Sequence, residues 1–214
     1  MSTTDPAALR KTLEELALNL WWGWQPDVTD LFRRIDPVGW ERVGHNPIAL
    51  LRQIDDDRLA AADRDQSLVL QANIQARRLG QYVAEEDTWA TRQAGVLRVV
   101  PAAYFCAEFG VHESLPLYSG GLGILAADYL KSASDLGLPM VGVGLFYAQS
   151  YFHQRIDANG WQQEIYGVTD VDTLPLRRAA AADGTPLLIE VCCGADHVKA
   201  AVWLAHVEIG RAHV

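Results

Sequence analysis

The sequence predicts an α/β fold, with a helical region before the sheet and an antiparallel layer after it. Three consecutive segments carry this prediction. An apolar run that includes Tyr104, Phe105 and Cys106 is typical of a buried strand. A glycine-led amphipathic segment follows from Leu117 to Gly137, and a second apolar run extends from Pro139 to Tyr147. The order strand, loop, helix, strand is that of a parallel crossover, so the two strands are expected side by side in one sheet.

The first region, residues 1–95, is expected to be helical. Leucines recur at helical spacing from Leu9 to Leu20, and the preceding Asp5–Pro6 pair suits an N-cap and a first turn. This helix is expected to end near Gly23. Indoles cluster there, at positions 21, 22 and 24. They favour a local core, or docking against a second domain, over a surface on which a sugar stacks.

Further helices are expected before the sheet. Asn46 and Pro47 repeat the pattern of a cap and a first-turn proline, which predicts a short helix. The segment from Asp57 to about Thr91 is rich in Ala, Arg, Leu and Gln, which predicts one or two long helices. The composition changes after Gly95, so a domain boundary is expected there, with a helical extension before it and a partial α/β domain over residues 96–207.

Turn signals divide the last third of the chain into hairpins. Asn159–Gly160 lies between two polar and aromatic stretches, and Asp183–Gly184 marks a second turn. Strands are then expected over residues 187–193 and 197–206. This part of the chain is predicted to be an antiparallel layer.

Composition restricts the partners. The net charge is −9, from 18 basic and 27 acidic residues, which disfavours nucleic acid or an anionic membrane as the main partner. No apolar run approaches the roughly 20 residues of a membrane span, and the N-terminus lacks the layout of a signal peptide, so a cytoplasmic location is expected. Cys106, Cys192 and Cys193 suit neither a disulfide framework nor a zinc site; reduced, buried thiols and no metal are expected.

The glycine-led helix is the strongest candidate for a site. Gly120, Gly121 and Gly123 lead directly into it, and the unpaired amides of a helix start attract a phosphate or a sugar oxygen. A dinucleotide-binding fingerprint is disfavoured, because about ten loop residues separate the strand from the glycines. A phosphate loop of the GKS/GKT type is excluded, because no lysine follows the glycines at the required place. The alternative is that the glycines only let the helix pack closely on the sheet.

Titratable residues near the glycines leave two interpretations open. Glu108, His112 and Glu113 could serve acid–base chemistry or a metal. The alternative interpretation is structural: His112 would be a loop histidine that is hydrogen-bonded to the backbone, and Glu108 would be a buried carboxylate that holds loop amides. Asp128 lies in the second turn of the helix, where its negative charge interacts favourably with the partial positive charge of the helix N-terminus.

From Ala102 to Gly167 the chain resembles the N-terminal domain of the α-glucan phosphorylases, the glycogen, starch and maltodextrin phosphorylases. The resemblance is carried by YFCAEFG, by LYSGGLG and by GWQQEIYG, in that order. Residues 19–51 resemble the helical extension that precedes this domain in the shorter bacterial and archaeal branch. The implied fold is the N-terminal part of a two-domain, Rossmann-like (GT-B) glycosyltransferase with a cleft between its domains.

The resemblance also implies a reaction. Inorganic phosphate attacks the terminal glucosyl unit of an α-1,4-glucan or maltodextrin and releases glucose 1-phosphate, with pyridoxal phosphate as the cofactor. Gly120 and Gly121 take the positions of the glycine loop, whose amides address the phosphate, and Leu122 lies beside the glucosyl unit. Glu108 and His112, together with Asp128, are candidates to support that loop.

The resemblance places the cofactor lysine in a second domain that this chain lacks. Lys131 lies four residues before Asp135, which predicts an ion pair on a solvated helix face. Lys131 is therefore not expected to form the Schiff base with the cofactor. The chain alone is therefore expected to be inactive, and a homo-oligomer is left open for the full-length protein. Two alternatives remain: a glycogen or starch synthase, whose motif has lysine where this chain has Tyr118, and a non-catalytic module that binds sugars or anions.

The last seven residues, Glu208 to Val214, read EIGRAHV. A common sequencing adapter, GAGATCGGAAGAGCACACGTC, encodes these seven residues in this frame. We expect the segment to be an adapter-derived tail; an ordinary strand end is the alternative.

Overall fold

The structure is a computed structural model that describes residues 6–98, 100–149 and 151–207. The predicted N-cap at Asp5 and the predicted adapter tail lie outside these residues. The helices are α1 (Pro6–Leu18), α2 (Pro26–Ile35), α3 (Pro37–Arg42), α4 (Pro47–Gln53), α5 (Asp56–Arg64), α6 (Gln66–Val83), α7 (Trp89–Gln93) and α8 (Gly121–Asp135). The strands are β1 (Ala102–Phe105), β2 (Met140–Val143), β3 (His153–Ile156), β4 (Gln162–Ile165), β5 (Leu176–Arg178), β6 (Leu188–Cys193), β7 (Asp196–Ala201) and β8 (Trp203–Ala205).

The helical region forms where the sequence predicts it, with local caps that explain its breaks. Helices α1 to α4 each begin with proline, whose missing N–H costs nothing in a first turn. The side chains of Asn46 and Asp65 cap α4 and α6. The short helix after Asn46 is thus confirmed as α4. The long helical segment is divided at Asp65 into α5 and α6, and α7 follows separately.

The first helix is shorter than expected. It ends at Leu18 rather than near Gly23, and a 3₁₀ turn spans Leu20–Trp24. Asn19 causes the change, because its side chain accepts a hydrogen bond from the Trp21 amide at 3.0 Å and so caps a new turn. The leucines that predicted the helix are all buried. Leu9, Leu13 and Leu16 lie in a core that the first helices share, whereas Leu20 lies in the core against which α8 packs.

The parallel crossover is confirmed. Strands β1 and β2 pair in parallel from Ala102 opposite Met140 to Phe105 opposite Val143, and α8 lies between them in sequence. Alanines and Leu130 on the inner face of α8 are buried in a second core. None of the described helices is both long and apolar enough to cross a membrane.

The chain after β2 is antiparallel, as predicted, but one strand is divided. β3 pairs with β4, β6 with β7, and β5 with β8. The strand expected over 197–206 forms as two strands, β7, which ends at Ala201, and β8, which begins at Trp203. The strand divides because β7 pairs with β6, whereas β8 pairs with β5. Its continuation joins the helical region: the Leu20 amide donates to the His206 carbonyl at 2.9 Å, and Val207 is fully buried.

The cysteines differ from the expectation in burial. All three are free thiols, but Cys192 and Cys193 are exposed and Cys106 is only half-buried. The prediction of buried thiols is therefore wrong for the adjacent pair, because the hairpin of β6 and β7 is covered on neither face by the described residues.

Candidate functional site

The start of α8 is an open backbone surface. Gly120 is the N-cap, with extended dihedrals and no side-chain cap bond, and its carbonyl accepts from the Gly123 amide at 3.1 Å. Within the described residues, the amides of Gly121 and Leu122 have no hydrogen-bonding partner. A Cβ built on Gly120 or Gly121 would meet no atom within 4 Å. A ligand can therefore approach these amides directly.

Two other glycines are needed for packing. A Cβ on Gly123 would lie 2.6 Å from the Tyr118 Cβ, and one on Gly110 would lie 2.8 Å from the Ile124 Cδ1. The Gly110 amide donates to the Gly123 carbonyl at 2.8 Å, which holds the loop after β1 against α8. Close packing, one of the two interpretations that the sequence left open, therefore applies to Gly123 but not to Gly120 or Gly121.

Glu108 holds the glycine loop from the β1 side. Its carboxylate accepts the Tyr151 hydroxyl at 2.7 Å, the Ser119 hydroxyl at 3.2 Å and the Ser119 amide at 3.3 Å. The Tyr151 hydroxyl most of all, and then the Ser119 and Gly120 amides, lower the pKa of Glu108 below its ordinary value of 4.5. The side chain is half-buried rather than buried, and it holds loop amides as one of the two sequence interpretations expects.

His112 contacts the helical region. Its ring is 4.6 Å from the Trp22 ring, in an edge-on arrangement. Its Nδ1 accepts the Ser114 amide at 3.1 Å, which places the proton of the neutral ring on Nε2. Burial is the main cause that lowers the pKa of His112 below 6.5. His112 is thus a neutral histidine bonded to loop backbone, while Glu113 beside it is exposed.

The remaining predicted residues lie along α8. Asp128 is exposed in its second turn. The Lys131 Nζ lies 4.1 Å from the centre of the Trp24 ring, and Asp135 accepts the Tyr82 hydroxyl at 2.7 Å. Each member of the predicted Lys131–Asp135 pair therefore has a partner in the helical region. Leu122 is 58% exposed at the helix start.

An aromatic cavity of about 400 Å³ adjoins the Glu108 network. Tyr151 belongs to both, because it lines the cavity and donates to Glu108. The other aromatic residues of its lining are Tyr147, Phe152 and Tyr166. Sequence reasoning missed Tyr151 and Ser119 as parts of the site. The signal for Tyr151 was the aromatic pair Tyr151–Phe152, which lies between polar residues directly before β3.

No metal centre is evident in the part of the chain that the structure describes. No three His, Cys, Asp or Glu side chains there are grouped so that they could hold an ion.

Comparison with known proteins identifies two matching family models. The model described as "Protein of unknown function (DUF3417)" matches residues 6–115, and the model described as "Carbohydrate phosphorylase" matches residues 111–169. The start of α8 and the turn that bears Ser119 lie in the second match. No solved structure matches the chain.

Curated relatives match along most of the chain. A glycogen phosphorylase of Mycobacterium tuberculosis is 45% identical over 204 residues, which cover 93% of this chain and 23% of the relative. A maltodextrin phosphorylase of Thermococcus litoralis is 38% identical over 84% of this chain and 21% of its own length. A glycogen phosphorylase of Aquifex aeolicus is 34% identical over 95% of this chain and 28% of its own. The chain therefore spans about a quarter of the length of these relatives.

Proposed function

The chain belongs to the DUF3417 family. Because it also matches the carbohydrate phosphorylase model and is 45% identical to a glycogen phosphorylase over most of its length, we propose that it is the N-terminal part of an α-glucan phosphorylase and forms the glycine-loop wall of the active site. The complete enzyme would cleave the terminal glucosyl unit of an α-1,4-glucan, such as glycogen or a maltodextrin, with inorganic phosphate. Glucose 1-phosphate would be the product. A second Rossmann-like domain of a GT-B fold would form the opposite wall of the cleft.

The observation that carries this proposal is the open start of α8. Two adjacent amides, those of Gly121 and Leu122, have no partner within the described residues, and no side chain shields them. The partial positive charge of a helix N-terminus favours an anion there. A phosphate oxygen held by these amides would lie beside the exposed Leu122 side chain, which would contact the apolar face of the glucosyl ring.

Glu108 is proposed to keep the loop in its binding conformation. Its carboxylate ties Ser119, directly before the glycines, to Tyr151 on the segment that precedes β3. Because these donors lower its pKa, the carboxylate stays ionised at neutral pH. Donors fixed before the substrate arrives stabilise a developing charge without reorganisation, which is the property that a phosphorolysis site needs.

The described residues fit a phosphate group but not the attachment of the implied cofactor. Pyridoxal phosphate supplies a phosphate that exchanges protons with the substrate phosphate. The lysines of this chain lie elsewhere, Lys11 in α1 and Lys199 in β7. Lys131 is ten residues beyond the start of α8, about 15 Å along the helix axis, and faces Trp24. We propose that the cofactor lysine belongs to the second domain.

The test is phosphorolysis by the full-length protein that contains this chain. The protein is incubated with maltoheptaose and inorganic phosphate, and glucose 1-phosphate is measured with and without phosphate. Phosphate-dependent release supports the proposal. Glucosyl transfer from a nucleotide sugar without such release would instead identify a synthase, and glucan binding without either reaction would identify a non-catalytic module.

A further inference from the structure

The helical region, here residues 6–95, has a core of its own. That core lies among α1 to α6, whereas a second core lies between α8, the loop after β1 and the end of the described chain. From the helical region, Leu20 joins the second core. The contacts between the helices and α8 therefore form an interface between two packed units.

Directional contacts hold the last two turns of α8 against the helical region. The Lys131 ammonium lies over the Trp24 ring, 4.1 Å from its centre. The Tyr82 hydroxyl donates to the Asp135 carboxylate at 2.7 Å. A cation–π contact and a hydrogen bond depend on distance and angle more than burial of apolar area does, so they restrict where this end of the helix can lie.

The chain just beyond α8 is held in the same way. The Ala90 amide donates to the Leu136 carbonyl at 2.9 Å. Gly137 lies so close to Thr88 that a Cβ on this glycine would clash with the threonine side chain. The end of α8 thus fits against the segment that begins α7.

The helical region also reaches the start of α8, through the loop that follows β1. The Trp22 ring lies 4.6 Å from the ring of His112, and a Cβ on Gly23 would lie 3.0 Å from the His112 Cδ2. Two residues before His112, the Gly110 amide donates to the Gly123 carbonyl at 2.8 Å. The helical region therefore contacts α8 directly at one end and through this loop at the other.

The length of α8 makes the positions of its two ends depend on each other. Asp135 lies 14 residues after Gly121, about 21 Å along the helix axis. A tilt of about 3° around one end moves the other end of such a helix by about 1 Å. A displacement of about 1 Å can reduce a rate about 100-fold where reacting groups must be aligned. The contacts at the end of α8 therefore affect where its first amides point.

We propose that the helical region positions the glycine loop: Trp24 and Tyr82 hold α8 at the tilt at which its first amides receive a phosphate. This assigns a role to a region whose family model is described as being of unknown function. The identity of the ligand, inorganic phosphate, rests on the proposed function, whereas the coupling between the two ends of α8 does not. Trp24 and Tyr82 are positioning residues, because they act through α8.

The first test is the kinetics of the full-length protein with variants that each remove one contact. Tyr82→Phe removes the hydroxyl that donates to Asp135 and keeps the ring beside Trp21. Lys131→Met removes the ammonium and keeps a side chain of similar length. We expect each variant to raise the KM for phosphate about three- to tenfold and to leave the KM for maltoheptaose unchanged. A variant that only reduces the folded fraction would lower kcat and leave both KM values unchanged.

Two controls accompany these variants. Lys131→Arg keeps a cation over the Trp24 ring and should keep the KM for phosphate near that of the wild type. Leu70→Ala changes a residue of α6 that is 59% exposed and lies 12 residues before Tyr82, so it should change neither KM value. An unchanged KM for phosphate in both Tyr82→Phe and Lys131→Met, or a loss confined to kcat, would overturn the inference.

Amide NMR of the 214-residue chain tests the coupling without any activity. In Tyr82→Phe, the amide shifts of Gly121 and Leu122 should change, although Gly121 lies about 21 Å along the helix from Asp135. Leu70→Ala should leave these shifts in place. Changes confined to the last turn of α8 would overturn the inference. If the full-length protein lacks phosphorolysis but the shifts at the helix start change, the proposed function fails and the positioning of α8 by the helical region stands.

Discussion

Replacing Gly121 by alanine separates ligand binding from packing at the start of α8. A Cβ at this position meets no atom within 4 Å, and the φ of Gly121 is not in the left-handed region. Alanine is therefore accommodated, and it reduces the freedom of the unfolded chain and favours the helix. We expect the free energy of unfolding to rise by about 0.5 to 1 kcal/mol.

The same substitution should impair the proposed reaction. The added methyl group stands in front of the amides that would hold the phosphate. We expect the rate of phosphorolysis by the full-length protein to fall at least about tenfold, since the loss of one donor to a developing anion costs about 100-fold or more in enzymes. Stability and activity would then change in opposite directions.

Gly123→Ala is the matched control for Gly121→Ala. Its Cβ would lie 2.6 Å from the Tyr118 Cβ and 3.2 Å from the Glu108 Cβ, so the surrounding backbone must shift. We expect the free energy of unfolding to fall by about 1 to 3 kcal/mol. Urea denaturation measures both variants, and glucose 1-phosphate release measures activity. A Gly121→Ala variant that loses stability like Gly123→Ala, or that keeps full activity, would refute the reasoning.

Three further predictions concern two glycines with positive φ and the titratable groups Glu108 and His112. Gly137→Ala should lower the free energy of unfolding, measured by urea denaturation, by about 2 to 4 kcal/mol, because the φ of Gly137 is +70° and the new Cβ would clash with the Thr88 Oγ1. Gly160→Ala is the control: its φ is +84° but its surroundings are open, so the free energy of unfolding should fall by only about 1 to 2 kcal/mol. Tyr151→Phe should raise the pKa of Glu108 toward 4.5, which carboxyl-carbon NMR titration would detect; an unchanged pKa would contradict the assigned cause. Because burial lowers the pKa of His112 below 6.5, the folded state favours the neutral ring. The resulting stability is complete above pH 6.5 and is lost as the pH falls from 6.5 through the lowered pKa. His112→Gln should therefore make the free energy of unfolding less dependent on pH below 6.5.

The local elements could be predicted because their signals are local. Asn46 and Pro47 start α4 by capping and by proline geometry, which involve only neighbouring residues. The hairpin turn at Asn159–Gly160 also depends only on neighbouring residues. The Asp157 carboxylate stabilises it by accepting hydrogen bonds from the amides of Asn159 and Trp161. The Asn–Gly pair alone did not indicate this contribution of Asp157. The roles of Gly120 and Gly121 stay predictions, supported by their open surroundings.

The sequence by itself determined the glycine-led helix, the parallel crossover and the positions of the hairpins, because helical periodicity, caps and turn residues act within a few positions of one another. Only the tertiary structure decided which glycines are open and which are packed, since the difference depends on Tyr118 and Glu108 folding back over Gly123. Only it brought Tyr151, 43 residues away in sequence, to Glu108. Contacts between distant segments depend on how whole elements pack, and no pattern within one segment encodes them.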